Sequence, residues 1–206
     1  QGITLSGGIT TSNATGNNVT LTGPVIISGS VDIDTDTATD GNITFTSTIR
    51  GDGNGGTTDA LTLDTGTGTL SFDSTNTIIG ETNALASLNI NQDGGAVALT
   101  IPQIGGSGGT TAGVDGTVNI GTGTTATLTM EDALYNFGTG NVTITAASTG
   151  TGTTFSAANT DVNSGGGNIT INNKVAIADG ELDINSGGGD ISITGAISSA
   201  GTDEAL

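Results

Sequence analysis

One short pattern occurs twice in residues 164–197, whose sequence is SGGGNITINNKVAIADGELDINSGGGDISITGAI. Each copy has a serine and three glycines followed by a run of alternating polar and apolar residues, and the copies begin at Ser164 and Ser186. Strict alternation predicts a β-strand with one buried face, and glycine clusters are typical of tight turns. The stretch therefore predicts short strands joined by turns and repeated at a regular spacing.

The same apolar–polar–apolar alternation recurs along the chain. Eight such runs begin at Val19, Ile43, Leu70, Val97, Val118, Val142, Ile169 and Ile191, and further short apolar runs lie between them. A regular repeat of this kind is typical of solenoids. The pattern predicts an all-β fold, a right-handed parallel β-helix (β-solenoid) of about eight rungs of roughly 21–27 residues with three short strands each.

A longer repeat is superimposed on the short one. Residues 18–49 align with residues 168–197 at an offset of about 150 residues, with small gaps. We interpret residues 1–206 as a single solenoid segment. The chain begins with QGITLSGG, in the middle of the pattern, and ends with TDEAL, where the alignment places another strand. We therefore expect the segment to belong to a longer repetitive chain, or to be completed by another subunit of a filament.

The composition restricts the function. The chain has 37 glycines, is 2% aromatic and contains neither cysteine nor histidine, so it offers no thiolate and no histidine base for catalysis. It has 20 acidic residues and only two basic ones, Lys174 and Arg50, which gives a formal net charge of −18. Nucleic acid is excluded as a partner, because phosphate contacts need clusters of Lys and Arg. Since no apolar run approaches the ~20 residues of a membrane helix, we expect no membrane insertion.

Three stretches carry a family resemblance: VDIDTDTATDGNITFTSTI (residues 31–49), GNVTIT (residues 140–145) and GGGNITINNKVAIADGELDINSGGGDISITGAI (residues 165–197). Their repeat style resembles that of giant bacterial surface exoproteins, the filamentous-haemagglutinin-like adhesins and related β-strand-repeat proteins. The resemblance implies a right-handed β-helix, secretion to the extracellular space or cell surface, and a role in adhesion, matrices or surface filaments. It supplies no catalytic residues, and we expect the protein not to be an enzyme.

These observations together predict a structural segment of an extracellular bacterial fibre, sheath or surface filament that stacks head to tail through its end strands. Its partners would be further copies of the chain or adjacent segments of the same chain. The alternative is a stalk or binding module of a surface adhesin for cell, glycan or matrix attachment, with a host or matrix surface as its ligand. A minor alternative is an ice-binding β-solenoid, because a row of outward-facing hydroxyl residues is predicted, which consists of Thr20, Thr22, Thr44, Thr46, Thr143, Thr145, Ser192 and Thr194. Asp73, Ala98, Asn119, Gly121 and Asn172 interrupt this row.

Two acidic turns are candidates for binding Ca²⁺, the one cofactor that the sequence brings into question. The candidate ligands are Asp32, Asp34, Asp36 and Asp40 in the first turn, and Asp52, Asn54 and Asp59 in the second. Ca²⁺ prefers several carboxylate and carbonyl oxygens, and glycine lets the backbone turn around the ion. Neither turn completes a known calcium motif, so ordinary turn residues on a solvated surface are the alternative.

The only arginine lies in the tripeptide Arg50-Gly51-Asp52, in what we interpret as a glycine-rich loop. Integrins read this tripeptide when a loop presents it, which makes it a candidate recognition site. Gly-Asp is also a common turn sequence, and a turn is the simpler interpretation.

Five Asn-x-Thr triplets are acceptors for glycans in a secreted protein. They begin at Asn13, Asn18, Asn42, Asn141 and Asn168. The last four share the pattern N-[VI]-T, for which we favour a structural interpretation. In it the asparagine ends a turn and the threonine faces outward on the strand that follows.

Overall fold

The computed structural model describes residues 2–11, 17–36, 40–54, 58–92, 98–106, 112–122, 127–146 and 152–199. These residues form 24 strands and no helix. The first twelve strands are β1 (Ile3–Leu5), β2 (Ile9–Thr10), β3 (Val19–Leu21), β4 (Val25–Ile27), β5 (Ser30–Asp34), β6 (Ile43–Phe45), β7 (Ile49–Gly51), β8 (Ala60–Asp64), β9 (Leu70–Phe72), β10 (Ile78–Ile79), β11 (Ser87–Gln92) and β12 (Leu99–Ile101). The others are β13 (Gln103–Ile104), β14 (Val118–Thr122), β15 (Thr127–Met130), β16 (Leu134–Phe137), β17 (Val142–Thr145), β18 (Gly152–Phe155), β19 (Asn159–Ser164), β20 (Ile169–Asn172), β21 (Val175–Ile177), β22 (Glu181–Asn185), β23 (Ile191–Ile193) and β24 (Ile197–Ser199). No helix in this part of the chain has the length and apolar character needed to cross a membrane.

The strands form three faces of a solenoid, and each strand pairs in parallel with the strand three places further along the chain, except at β9 and β12. Face 1 has the order β1-β4-β7-β10-β13-β16-β19-β22, and face 2 has the order β2-β5-β8-β11-β14-β17-β20-β23. Face 3 consists of two sheets, β3-β6-β9 and β12-β15-β18-β21-β24. The 24 strands therefore make eight rungs of three strands each, and on faces 1 and 2 seven turns of the chain separate the first strand from the last. The predicted all-β parallel β-helix is confirmed.

The turns are less regular than the alternating runs predicted. On face 1, Val25 pairs with Ile49, and Ile49 pairs with Ile79. The second of these turns takes a longer stretch of chain than the first. The corners therefore differ in length from one turn to the next.

The eight alternating runs do not share one face. Those at Val19, Ile43 and Leu70 lie on face 3, and those at Val118, Val142, Ile169 and Ile191 lie on face 2. Val97 lies outside the described residues, but Leu99 of the same run begins β12 on face 3. The step from this run to the run at Val118 is therefore not a turn of the solenoid.

The super-repeat is out of phase with the turns. Residues 18–49 run from β3 to the first residue of β7, and these strands lie in turn on faces 3, 1, 2, 3 and 1. Residues 168–197 run from β20 to the first residue of β24, on faces 2, 3, 1, 2 and 3. Aligned strands therefore lie on different faces, so one sequence pattern is compatible with all three. The final TDEAL lies outside the described residues.

Inward-facing side chains form continuous apolar columns along the solenoid. The column of face 2 consists of Ile33, Leu63, Ile90, Ile120, Ile144 and Ile171. Each of these side chains is at most 1% exposed, and burying one contributes roughly 1.5–3 kcal/mol. On face 3, Phe45 and Phe72 stack with ring centroids 5.6 Å apart and an angle of 12° between the rings. The columns hold successive turns together.

The SGGG turns are corners in which the backbones of successive turns pack directly on each other. A Cβ atom at Gly167 would overlap the carbonyl oxygen of Gly140, and one at Gly140 would overlap the backbone of Gly116. Gly189 packs in the same way on Gly167. Glycine recurs at this corner because there is no space for a side chain between the turns.

Asparagine side chains bridge successive turns beside these glycines. The Asn141 side-chain oxygen accepts a hydrogen bond from the backbone N–H of Asn168 at 3.1 Å, and the Asn168 oxygen accepts one from Asp190 at 2.8 Å. On face 3, Asn18 accepts from the N–H of Asn42 at 2.9 Å, and Asn42 accepts from Thr69 at 2.8 Å. Each bond satisfies a corner N–H group.

The structural interpretation of the four N-[VI]-T triplets is therefore confirmed, and their use as glycan acceptors stays a prediction. Asn13 lies outside the described residues.

Buried threonines give a first test of the packing. The hydroxyl of Thr153, which is 0% exposed, has no hydrogen-bond partner among the described residues. Thr153 pairs with Leu128 and Val175, both apolar. Valine has the same shape without the hydroxyl, so Thr153→Val is expected to raise the free energy of unfolding by about 1 kcal/mol in urea denaturation. Thr154→Val, outward-facing on the same strand, is the control and should change stability by less than about 0.5 kcal/mol. A loss of stability in Thr153→Val would contradict the statement that the Thr153 hydroxyl is buried without a hydrogen-bond partner.

Candidate functional site

The first acidic turn lies on the outside of face 2. There, carboxylates from neighbouring turns of the solenoid come together. Asp34 on β5 pairs directly with Asp64 on β8, and Asp32 is two residues before Asp34 on the same outward side. Partial burial raises the pKa of Asp32, and the charges of Asp34 and Asp64 raise it further. Asp64 was not among the predicted site residues, because only the strand register shows that it lies beside Asp34.

The other two acids of this group, Asp36 and Asp40, contact each other, and Asp40 also contacts the next turn of the solenoid. Asp40 accepts hydrogen bonds from the Thr67 hydroxyl and from the Thr67 backbone N–H, the latter at 2.8 Å. These bonds hold the pKa of Asp40 below its usual range. Partial burial, followed by the contact with Asp40, raises the pKa of Asp36. The Asp36 backbone N–H donates to Asp34 at 2.8 Å, so the cluster is organised mainly by hydrogen bonds from the protein.

The second acidic turn uses its carboxylates to bind backbone and side-chain donors. Asp59 is 4% exposed and accepts hydrogen bonds from the N–H groups of Gly29 at 3.2 Å and Asp52 at 3.0 Å. Asp52 accepts from the Asn54 N–H at 2.8 Å, the Asn54 side chain at 2.9 Å and the Ser28 hydroxyl at 2.9 Å. These bonds, that from the Asn54 backbone first, lower the pKa of Asp52. The second turn is a hydrogen-bonded corner.

The seven predicted Ca²⁺ ligands thus form two separate groups. Within the described residues, no three acidic, histidine or cysteine side chains are arranged to hold a metal ion. In the second group, the oxygens that a cation would need already accept N–H and O–H donors. Specific Ca²⁺ binding stays a prediction that solution measurements must test.

The alternative interpretation, in which these acids are ordinary turn residues, predicts that Ca²⁺ stabilises the protein only by screening its charge. The melting temperature in millimolar CaCl₂ should therefore match that in MgCl₂ at equal ionic strength, and a chelator should leave it unchanged. Ca²⁺ takes more and more flexible oxygen ligands than Mg²⁺, so a built site would separate the two ions. An increase in melting temperature with Ca²⁺ alone, reversed by the chelator, would identify such a site.

The tripeptide Arg50-Gly51-Asp52 is not in a loop, and that part of the prediction was wrong. Arg50 and Gly51 belong to β7 on face 1, and only Asp52 lies in the corner that follows. Gly51 is buried, and a Cβ there would overlap the carbonyl oxygen of Ala84. With the Asn83 amide oriented to satisfy both of its neighbours, its oxygen accepts from Arg50 Nη1 at 2.8 Å. A recognition role would therefore require a partner that binds the end of a strand together with the corner that follows it.

The outward threonines do not form the single row that the sequence predicted. Thr20 and Thr44 lie on face 3, whereas Thr143 lies on face 2 between Asn119 and Thr170. The structure does contain one row that the sequence analysis missed. It runs on face 3 through Thr100, Thr129 and Thr154 and is followed by Ala176 and Ser198.

A cleft interrupts face 3 where β9 and β12 lie side by side without pairing. Its volume is about 260 Å³. The side chains that matter for its chemistry are Thr69, Ser71, Phe72, Ser74, Thr100 and Glu131. The cleft thus combines hydroxyl groups, one half-buried aromatic ring and one carboxylate, and it is the candidate site with the most varied chemistry.

The carboxylate of the cleft lies in a rigid corner. Burial, followed by the charge of Asp132, raises the pKa of Glu131. Asp132 accepts a hydrogen bond from the Gln103 N–H at 2.7 Å. The buried Tyr135 hydroxyl donates to the Ile101 carbonyl at 3.0 Å and accepts from the Asp132 N–H at 2.9 Å, while burial raises the pKa of Tyr135 well above its usual range. These bonds fix the corner between β15 and β16.

The acidic turn on face 2 has a predictable pH dependence. Because the pKa of Asp32 is raised by folding, its ionised form costs stability above the folded-state pKa, and the cost disappears as the pH falls towards the ordinary value of 3.8. Asp32→Asn is therefore expected to add about 0.5 kcal/mol at pH 7, a figure already reduced for solvent screening. The gain should shrink on acidification and in 1 M salt.

The exposed Asp179→Asn makes the same change in net charge and is the matched control, with a smaller gain at pH 7. Urea denaturation from pH 7 down to about pH 4 measures both variants. A difference between Asp32→Asn and the parent that grows as the pH falls would contradict the sign given above.

Comparison of the chain with protein-family models, curated proteins and solved structures gave no significant match.

Proposed function

We propose that this chain is a structural segment of an extracellular bacterial fibre, sheath or surface filament, and that its rods stack head to tail through their end strands. The proposal rests on the two ends of the solenoid. It assigns no catalytic activity, since the chain has neither histidine nor cysteine. The extracellular location follows from the resemblance in repeat style to bacterial surface exoproteins.

The observation that carries the proposal is the open apolar end beyond β22, β23 and β24. Ile191 on β23 is 47% exposed and Ile197 on β24 is 42% exposed. Both continue inward columns, because Ile191 pairs with Ile169 and Ile197 pairs with Val175. Within the described residues, these three strands are the last of their sheets. An exposed column end and open strand edges are a template for pairing with a further strand.

The opposite end complements this one strand by strand. Each end has one edge strand on each face, β1, β2 and β3 at one end and β22, β23 and β24 at the other. All pairings within the solenoid are parallel, so a second copy placed end to end continues every sheet in the same direction. The inward Ile3, Leu5 and Ile9 at the first end are only partly buried. Stacking would bury apolar surface on both copies, which favours association.

The net charge of −18 opposes this stacking. Exposed charges on two rods repel each other over about 8 Å at physiological ionic strength, and over less at higher salt. Assembly should therefore increase with salt and as the pH approaches the isoelectric point of about 4.1.

Sedimentation velocity of the 206-residue chain over a range of concentrations, at low and high salt, tests the proposal. We expect species that lengthen with concentration and with salt. A sedimentation coefficient that stays at the monomer value in every condition would contradict end-to-end stacking.

A second candidate function is the stalk or binding module of a surface adhesin. The cleft between β9 and β12 favours it, because a purely mechanical rod has no need for a break in one face. Ice binding has weaker support, since the row of three threonines is followed by Ala176.

A further inference from the structure

The cleft on face 3 exposes backbone groups that every other pair of neighbouring strands on this face satisfies. The N–H of Asp73 donates to the Phe45 carbonyl at 2.9 Å, and the carbonyl of Thr69 accepts from Ile43 at 3.0 Å. Thr69 and Asp73 therefore point towards β6. Since successive residues of a strand direct their backbone groups to opposite sides, Leu70 and Phe72 point towards β12.

The opposite wall of the cleft, formed by β12, also directs backbone groups into the cleft. The Ile101 carbonyl accepts from the Glu131 N–H at 3.3 Å, which directs Ile101 towards β15. Thr100 and Pro102 consequently point towards β9, and proline has no N–H to offer. Because β9 and β12 do not pair, no bond between these two strands satisfies the groups on the two walls, and within the described residues they are open to hydrogen-bond to solvent or to a ligand.

The side chains of the cleft have a mixed polar and apolar character. Phe72 is half-buried, and one side of its ring packs on Phe45. Hydroxyls of Ser71 and Thr100 lie on the two walls, and the Glu131 carboxylate is the charged group of the lining. Aromatic surface with a few convergent polar groups is the usual lining of a small-molecule site.

The charge and the volume of the cleft restrict the chemical class of its ligand. An anionic ligand would meet Glu131 and a chain of net charge −18, and the described lining offers it no basic side chain. The volume of about 260 Å³ is near the lower end of ligand pockets, roughly 300 Å³, and admits one small ring. Hydroxyl groups that both donate and accept match the open N–H and C=O groups. An apolar ring face matches Phe72.

We propose that this cleft binds one sugar ring of a neutral glycan, with its C–H face on Phe72 and its hydroxyls on Glu131, Thr100 and the open strand edges. Binding would join β9 and β12 through the ligand. This site does not depend on the stacking of rods, because the strands that form it are remote from both ends of the solenoid.

NMR titration of the ¹⁵N-labelled chain with methyl glucoside, methyl galactoside and N-acetylglucosamine tests the proposal. At least one sugar should shift amide signals of Phe72 and Thr100, with a dissociation constant of about 1 mM, as expected for a ligand of this size. Glucuronic acid should shift them far less. Signals on faces 1 and 2 should remain unchanged.

Two variants and a matched control complete the test. Glu131→Gln removes a charged acceptor and is expected to weaken binding about tenfold. Thr100→Val removes one cleft hydroxyl and should weaken it about threefold. Thr154→Val, in the same row but two strands away, should leave binding unchanged. No localised shifts with any sugar, equal binding of all variants, or binding of methylammonium instead of sugars would each overturn the proposal.

Discussion

Gly167→Ala is expected to lower the free energy of unfolding by about 3 kcal/mol, the upper end of the usual cost of overpacking a closely packed site. The added methyl group would occupy the position of the Gly140 carbonyl oxygen. That oxygen belongs to backbone, and it cannot rotate away as a side chain would. The two turns would have to separate, which would also lengthen the hydrogen bond from the Asn168 N–H to Asn141.

Gly121→Ala is the matched control for this prediction. Gly121 lies on β14 of face 2, and a methyl group added there would have the Ile90 carbonyl oxygen as its nearest neighbour at 3.7 Å, an ordinary contact. Alanine there should be neutral or stabilising by about 0.5 kcal/mol, because it restricts the unfolded chain. Urea denaturation measures both variants. Equal stabilities of Gly167→Ala and Gly121→Ala would show that the corner has room for a side chain.

The second large effect concerns assembly. Ile191→Asp together with Ile197→Asp is expected to weaken head-to-tail association about 100-fold, because two half-exposed isoleucines lose their burial between rods. Ionised aspartates there would also have to be desolvated on stacking. Because the two side chains are 47% and 42% exposed in the single rod, the substitutions should also lower the free energy of unfolding by about 1 kcal/mol each, so association is compared under conditions in which both proteins are folded. Sedimentation equilibrium at high salt gives the association constants.

Ser192→Asp and Ser198→Asp together form the control for charge. These serines lie on the same two strands and face outward, since Ser192 pairs with Thr170 and Ser198 pairs with Ala176. The control adds the same two charges at the same end but spares the apolar column, so it should assemble more strongly than the isoleucine variant. If both variants assemble equally, the apolar column does not contribute to the junction.

The strands themselves could be predicted from the sequence, because alternation is a local signal. Val142-Thr-Ile144 has inward valine and isoleucine and an outward threonine, as its pattern indicates. The assignment of strands to faces could not be predicted. On face 1, the stretch of chain between the paired Val162 and Ile184 is much shorter than that between the paired Ile104 and Tyr135. A corner can absorb such a difference, so spacing alone does not identify the face.

The candidate site could not be predicted from the sequence, for a related reason. Asp64 and Glu131 acquire their neighbours through strand register, and no pattern near either residue indicates it. The one local signal for the cleft is Pro102, directly after β12, since proline in sheets is confined to edges and bulges. The sequence predicts a loop at Arg50, because glycine usually marks a turn. In the structure Gly51 takes an inward strand position, where the Ala84 carbonyl fills the space of a side chain.

Cryo-electron microscopy of the chain at high concentration and high salt tests the head-to-tail account most directly. The account predicts unbranched filaments in which the rung spacing of about 4.8 Å continues across each junction and all three sheets run through it. The Ile191→Asp, Ile197→Asp variant should give separate rods under the same conditions. Separate rods of the unaltered chain, or rods associated side by side, would contradict the account.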